Sequence, residues 1–380
     1  MKNFCKKHIP FLIMTSALTL LIIFLIVILC LKTNTKIAET WTRTFARGYI
    51  ALFGTISETV PFSLTELLFV IALISSVVLL AWGFCLLGNG NKWAFVNRVL
   101  IVALTIVGAV TMYNASVTMA YNRKALPLER YKGEIKKDEF VQIATYFVED
   151  FNNCADQLTF DENGEIVAPY SQKELIKNLK AEFAKLDNDY YNPYTPTAKP
   201  LLTSGLFTTV SIVGMFFGTL GEANYSTYST NAELPMYIAH EMCHAKGVMR
   251  EDDAQLLSLY ICLNSEDPLL RYSAYWFSID SVIDIISLSD TPEERSEVIK
   301  KINQKIRDNF KYIVNHWDGM TFLSDLGDKI NNLYLKISGQ FNGTAAYVDT
   351  NTEVNEETGE VITLSNFQSI YFKMYYDRSV

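Results

Sequence analysis

Residues 10 to 31 form a run of 22 positions without a charged side chain, and two further apolar runs follow at about 65 to 87 and 99 to 119. Inside hydrocarbon every backbone N–H and C=O must find a partner within its own segment, so an apolar run of roughly 20 residues has little choice but the helix. The chain is therefore expected to set three helices across a bilayer. The hydrophobic share of 49% agrees with that expectation, being high for a soluble enzyme.

Lys2, Lys6 and Lys7 precede the first run, which continues into Cys30-Leu31-Lys32-Thr33-Asn34 with no small-residue cleavage site, so it reads as an uncleaved anchor. The short turn between the second and third runs carries Lys92 and ends at Arg98. Both basic segments belong inside the cell by the positive-inside rule, which puts the N-terminus in the cytoplasm and everything after the third span outside. The basic residues of the segment 32 to 62 pull weakly the other way. That segment mixes Trp41, Phe45, Tyr49 and Phe53 with Arg43 and Arg47, a composition suited to a membrane interface. Ser63 with Glu66 three residues on reads as the capping box of the second span.

After residue 122 the composition becomes that of a soluble domain. The fold class expected is mainly α: a membrane anchor over 1 to 122 and a helical domain over 123 to 380 with at most a small edge β element. The net charge of -8 offers no basic patch of the size nucleic acid requires, so the partners expected are the lipid bilayer and a peptide or protein, not nucleic acid. The six cysteines show no CxxC and no regular spacing; buried free thiols are expected, rather than a bridge from Cys154 to Cys262.

Amphipathic helices are expected over 136 to 153 and 171 to 186, then an irregular connection to Pro200. The apolar segment 206 to 220 is too short to span and is interrupted by Gly214 and Gly218, so it reads as a buried element under the site. Residues 222 to 228 are polar and extended. Glu222 and Asn224 there are candidates for an edge strand that pairs with a substrate backbone. Further on, aromatic-rich helix is expected over 267 to 286, and one helix from Thr291-Pro292-Glu293-Glu294 to about 314.

The segment that carries chemistry is His240-Glu241-Met242-Cys243-His244, in a chain with only four histidines. On a helix two histidines four apart lie on one face and reach one metal ion, while Glu241 sits about 100° further round, beside that ion. Zinc hydrolysis requires that set: two neutral nitrogen ligands, and a carboxylate to take a proton from water activated at the metal. Pro235 suits the first helical turn and Gly247 a left-handed stop, so the chain can return a second helix from Glu251 towards the metal. Glu251 and Asp253 compete as third ligand. Glu251 shares its face with the small Ala254, Ser258 and Cys262, which let two helices approach closely, whereas Asp253 shares its own with Leu256, Leu257 and Tyr260. Glu251 is the choice, with Asp253 and the ectodomain histidine His316 left as candidates for a supporting or transition-state role. Zn2+ is the cofactor expected.

His240 to His244, Gly247 and Glu251-Asp252-Asp253-Ala254-Gln255, with Leu263-Asn264-Ser265-Glu266-Asp267-Pro268 and Arg271-Tyr272-Ser273, resemble a bacterial family of unknown function. The resemblance extends to Pro61-Phe62-Ser63 and Gly221-Glu222-Ala223-Asn224, and so covers most of the chain. The family's members have three N-terminal membrane helices and a domain regarded as zincin-like. It usually has Glu-Asp-Glu-Ala-Asn where this chain has Glu251 to Gln255, so Asp253 and Gln255 are departures. The Glu251 to Ala254 spacing is similar to that of membrane gluzincins, whose Glu binds zinc. What the resemblance implies is a peptidase in the bacterial cytoplasmic membrane, its zincin-like domain extracytoplasmic. Tyr347, in Gly343-Thr344-Ala345-Ala346-Tyr347, aligns with a family tyrosine and joins His316 as a transition-state candidate.

Three good ligands and no clear fourth favour a catalytic site over a closed structural one. The competing reading is a catalytically inactive membrane-anchored binding or assembly protein with a structural or vestigial metal site. A transporter is disfavoured because the spans carry almost no charge.

Overall fold

In the computed structural model the chain is described over residues 2–131, 139–287, 292–338, 350–354 and 361–378. Among the described residues three helices are long and apolar enough to cross a membrane: His8–Leu31, Leu64–Gly88 and Lys92–Asn122. The first lies in α1 (Lys2–Leu31), the second is α4 (Leu64–Gly88), and the third is α5 (Lys92–Ser116) with a 3-10 turn beyond it. The segment 206 to 220 is not among them.

The segment between α1 and α4 is helical, as α2 (Thr35–Trp41), a π turn (Thr42–Ala46) and α3 (Arg47–Ser57). Its aromatic residues recur every fourth position, so they meet on one face: Trp41 with Phe45 at 4.8 Å and Tyr49 with Phe53 at 4.5 Å between ring centroids. The Trp41 indole donates to the Ala115 carbonyl at 2.8 Å. Buried Glu39 is held between Arg43 at 2.6 Å and Arg123 at 3.0 Å. Burial alone would raise its carboxyl, but the two guanidiniums outweigh that and lower it to about 2.

The chain forms two compact units. The first comprises Met1–Ala125 together with Phe217–Glu222; the second is the remainder. Within the first, the Glu222 carboxylate accepts from the backbone N–H of Leu64 at 3.0 Å and of Thr65 at 2.8 Å, while Ser63 caps the same helix through the Glu66 N–H, as the capping box predicts. A distant acid thus joins the N-cap in satisfying the donors that open α4.

The second unit is built on α6 (Phe140–Asp156), whose Phe140, Ile143, Phe147 and Phe151 bury one stripe at helical spacing. Next come α7 (Gln172–Phe183), β1 (Lys199–Pro200), α8 (Ser204–Thr209), β2 (Gly214–Phe217) and β3 (Glu222–Tyr225). The motif helix α9 (Leu234–Ala245) and the returning α10 (Glu251–Leu263) precede α11 (Pro268–Ser287), which packs on both α6 and α9. Aromatic side chains fill that layer, Phe151 against Tyr272 at 4.9 Å and Phe147 against Tyr275 at 5.1 Å. The single helix expected from Pro292 is two, α12 (Pro292–Lys300) and α13 (Gln304–Trp317). Asn303 stands between them in extended conformation, and its side chain accepts from the Lys305 N–H as the cap of α13. The chain ends through α14 (Ser324–Ser338), the hairpin of β4 (Thr350–Val354) and β5 (Val361–Ser365), and α15 (Asn366–Arg378).

The architecture is mainly helical, with a small sheet of strand order β1-β3-β2. This order corrects the expectation for 222 to 228. β3 is the central strand, its Asn224 and Tyr225 in parallel register with Lys199 and Pro200 of β1. On the other side the Asn224 amide donates to the Met215 carbonyl at 3.3 Å and the Ser226 N–H to the Val213 carbonyl at 2.7 Å. A strand flanked on both sides has no free edge for a substrate, and the Glu222 carboxylate is engaged with α4. The end strands of the sheet are β1 and β2, the latter from the apolar segment expected to lie under the site.

Candidate metal centre

The motif helix is held rigidly at both ends. Pro235 occupies its first turn, where the absent N–H needs no partner, and the free N–H of Met236 is taken by Ser273 Oγ of α11 at 3.3 Å. Glu233, just ahead of the helix, accepts from the Trp317 indole at 3.0 Å and the Thr230 hydroxyl at 2.8 Å. At the far end Gly247 adopts a φ of 84°, the left-handed stop expected there. Asn192 donates its N–H to the Lys246 carbonyl at 2.9 Å and its amide to the Ala245 carbonyl at 3.2 Å, while Lys246 Nζ donates back to the Asn192 carbonyl at 3.0 Å. Burial pulls the Lys246 ammonium down to about 8.

With both ends pinned, the chain turns through Val248 and Met249 and α10 begins at Glu251. His240, His244 and Glu251 each bring one ligand atom to a common point, all within 4.8 Å of one another. His240 Nε2 lies 3.0 Å and His244 Nε2 3.6 Å from the same Glu251 oxygen. Ligands about 2.0–2.2 Å from a tetrahedral ion are separated by roughly 3.3–3.6 Å, so the two distances to Glu251 are near those of a zinc-sized cation, while the separations of up to 4.8 Å within the cluster leave about 1 Å for the side chains to close around it. The imidazole rings cross at 88°, which aims two edges at one point. His244 Nδ1 lies 2.8 Å from the Val248 carbonyl; a carbonyl only accepts, so Nδ1 carries a proton and Nε2 is the atom left to face Glu251, where a cation would take the place of its proton.

The electrostatics agree with that role. Burial would raise the Glu251 carboxyl, but the two facing imidazoles outweigh it and hold it at about 2. For His244, burial would favour the neutral ring, and Glu251 and Glu241 reverse this to about 9. An acid that stays ionised between two imidazoles is a cation ligand in waiting. For the buried Glu241, desolvation prevails over the neighbouring histidines and lifts it to about 7; a cation in the cluster would pull it back down.

Glu241 stands beside the cluster, not in it, and Gly214 at the start of β2 makes room for it. A Cβ at position 214 would lie 2.9 Å from Glu241 Cγ and closer still to its carboxylate. Two residues along the same strand, Phe216 packs 6.0 Å from the His244 ring. Alternate residues of β2 thus meet positions 241 and 244 of the helix, period two against a step of three.

The remaining candidates lie elsewhere. Asp253 is buried but ion-paired with Arg250 at 3.6 Å and Arg130 at 3.8 Å, away from the histidines. His316 Nε2 bonds the Tyr228 carbonyl at 2.7 Å and its ring stacks on Tyr312, which ties α13 to the loop before the motif. Tyr347 falls outside the described residues. Cys154, Cys243 and Cys262 are buried free thiols. Gly214, Phe216, Asn192 and Lys246 were not expected at the site. Gly214 alone carried a local signal, since a glycine inside a strand marks a close approach of something else.

No curated protein and no solved structure matches the chain. A model of the family described as "Protein of unknown function (DUF3810)" matches residues 41–350, the span that holds the second and third apolar helices, the histidine pair and Glu251, and the chain belongs to that family.

Proposed function

We propose that the chain is a membrane-anchored zinc metallopeptidase, with residues 1 to 122 as its anchor and 123 to 380 as a peptidase domain outside the cytoplasmic membrane, its N-terminus inside. The observation that carries the reading is the convergence of His240, His244 and Glu251 with a second acid, Glu241, buried beside them and not among them. Two nitrogens and one carboxylate leave a position open, which is the pattern of hydrolytic zinc sites and not of closed structural ones.

Bound there, zinc supplies Lewis acidity to a water and to the substrate carbonyl. Glu241 accepts the proton that water gives up and returns it to the leaving nitrogen as the peptide bond breaks. His244 keeps its ligand tautomer through the Val248 carbonyl. The substrate backbone extends along the open side of β2, the end strand against which Glu241 rests.

The test uses the purified full chain in nanodiscs. About one zinc per chain and cleavage of a mixed peptide library are expected, with cleavage lost on chelation and restored by added zinc. A chain that takes up no metal overturns the reading. Gly214→Ala is expected to keep the zinc and lower kcat by about 100-fold, because a displacement of about 1 Å at a reacting group costs that much. Unchanged kcat at full metal content would remove Glu241's position from the mechanism.

A further inference from the structure

Helix α14 has an apolar face that nothing among the described residues covers. Its inward face is already taken: Gly327 is buried against the Val210 backbone, Leu335 is fully buried, and the Leu323 N–H donates to the Thr209 carbonyl of α8 at 2.9 Å. Yet Phe322 is 71% exposed, Leu326 48%, Ile330 53% and Leu333 60%, with Leu323 exposed too. At about 100° per residue Leu326, Ile330 and Leu333 of α14 fall within about 60° of arc, one stripe and not scattered surface residues, and Phe322 and Leu323 stand in the turn that leads into the helix. α8, bonded to this helix, leaves Leu206 exposed as well. An apolar surface of this continuity on a folded unit marks something it binds.

We propose that this stripe lies in the interfacial layer of the bilayer, so that α14 acts as a membrane-surface helix of the second unit. Two observations select a lipid surface over a protein. Among the described residues three helices are long and apolar enough to cross a membrane, and once inserted they would keep the second unit tethered to a bilayer surface. The stripe is also bordered on one side by the exposed Lys329 and Lys336, roughly 70–90° from its centre, where long cationic side chains reach phosphate headgroups while the apolar residues sink below them. The proposal rests on insertion of the three helices and not on the chemistry of the metal cluster.

The test is depth-dependent quenching in the full chain, reconstituted in nanodiscs with and without brominated lipid. Cys5, Cys30 and Cys85 are replaced by alanine and a single fluorophore is placed at Ile330→Cys, Leu333→Cys or, on the opposite face, Asp328→Cys; all are exposed positions whose replacement leaves the core alone. Labels at 330 and 333 are expected to be quenched at least threefold more than the label at 328. A label at Val77→Cys, exposed on α4, reports insertion of the span separately. Quenching at 77 with none at 330 and 333 overturns the proposal, as does cross-linking of 330 between two copies without quenching, which would make the occupant a second chain. Absence of quenching at 77 as well overturns it together with the insertion it rests on, and metal binding is untouched by any of these outcomes.

Discussion

Glu241→Gln is expected to bind zinc as the unaltered chain does and to lose peptide hydrolysis by about 10²–10⁴-fold, the usual contribution of a positioned general base. The two side chains have the same shape, so the close fit against Gly214 is preserved and the cluster of His240, His244 and Glu251 is not disturbed. What disappears is the ability to accept a proton. Paired measurement of metal content and of kcat on one preparation checks this. Loss of the metal along with activity would make Glu241 a ligand, and full activity would place the base elsewhere.

The second large effect is expected at Glu251. Glu251→Ala should lose bound zinc at least 100-fold in affinity, since even residues that only orient a ligand cost 10–100-fold when removed. Part of the cost falls on the protein itself: Glu251 is buried and faces both histidines at 3.0 and 3.6 Å, and removing one partner of such a buried group costs about 3–5 kcal/mol. Glu251→Gln, which keeps the volume, separates loss of the ligand from loss of the fold, with circular dichroism to confirm the helices. Asp253→Ala is the companion variant. It breaks pairs with Arg250 and Arg130, of which Arg250 is 44% exposed, so it should retain zinc and cost about 1 kcal/mol or less from that exposed pair. Zinc retained in Glu251→Ala and lost in Asp253→Ala would exchange the roles of the two acids.

The distinction between these two acids was readable before any coordinates because it is a matter of helical phase. The face of α10 that carries Glu251 also carries Ala254, Ser258 and Cys262, all fully buried, and the small residues allow α9 and α10 to approach. Three apolar runs, the Ser63 cap and the stop at Gly247 were equally legible, since each depends on residues within one or two turns of one another.

The β structure was not. Strands of four residues carry no measurable alternation, and which of them stands at the edge is decided by partners far away in sequence. β3 looked like an edge strand because it is polar and extended, and it is central because β1 and β2 flank it. Likewise nothing near Asp253 announces Arg130, and nothing near Glu241 announces Gly214, 27 positions earlier.

By itself, then, the sequence determined the elements whose causes are local: the helices that hydrocarbon requires, the two helices of the motif, and the histidine pair whose spacing matches the helical turn. Only the tertiary structure decided which strand lies beside Glu241, that Arg130 pairs with Asp253, and how the motif helix is clamped through Asn192 and Ser273. Those are pairings between residues tens of positions apart, and side-chain spacing within one element carries no information about what the rest of the chain brings against it.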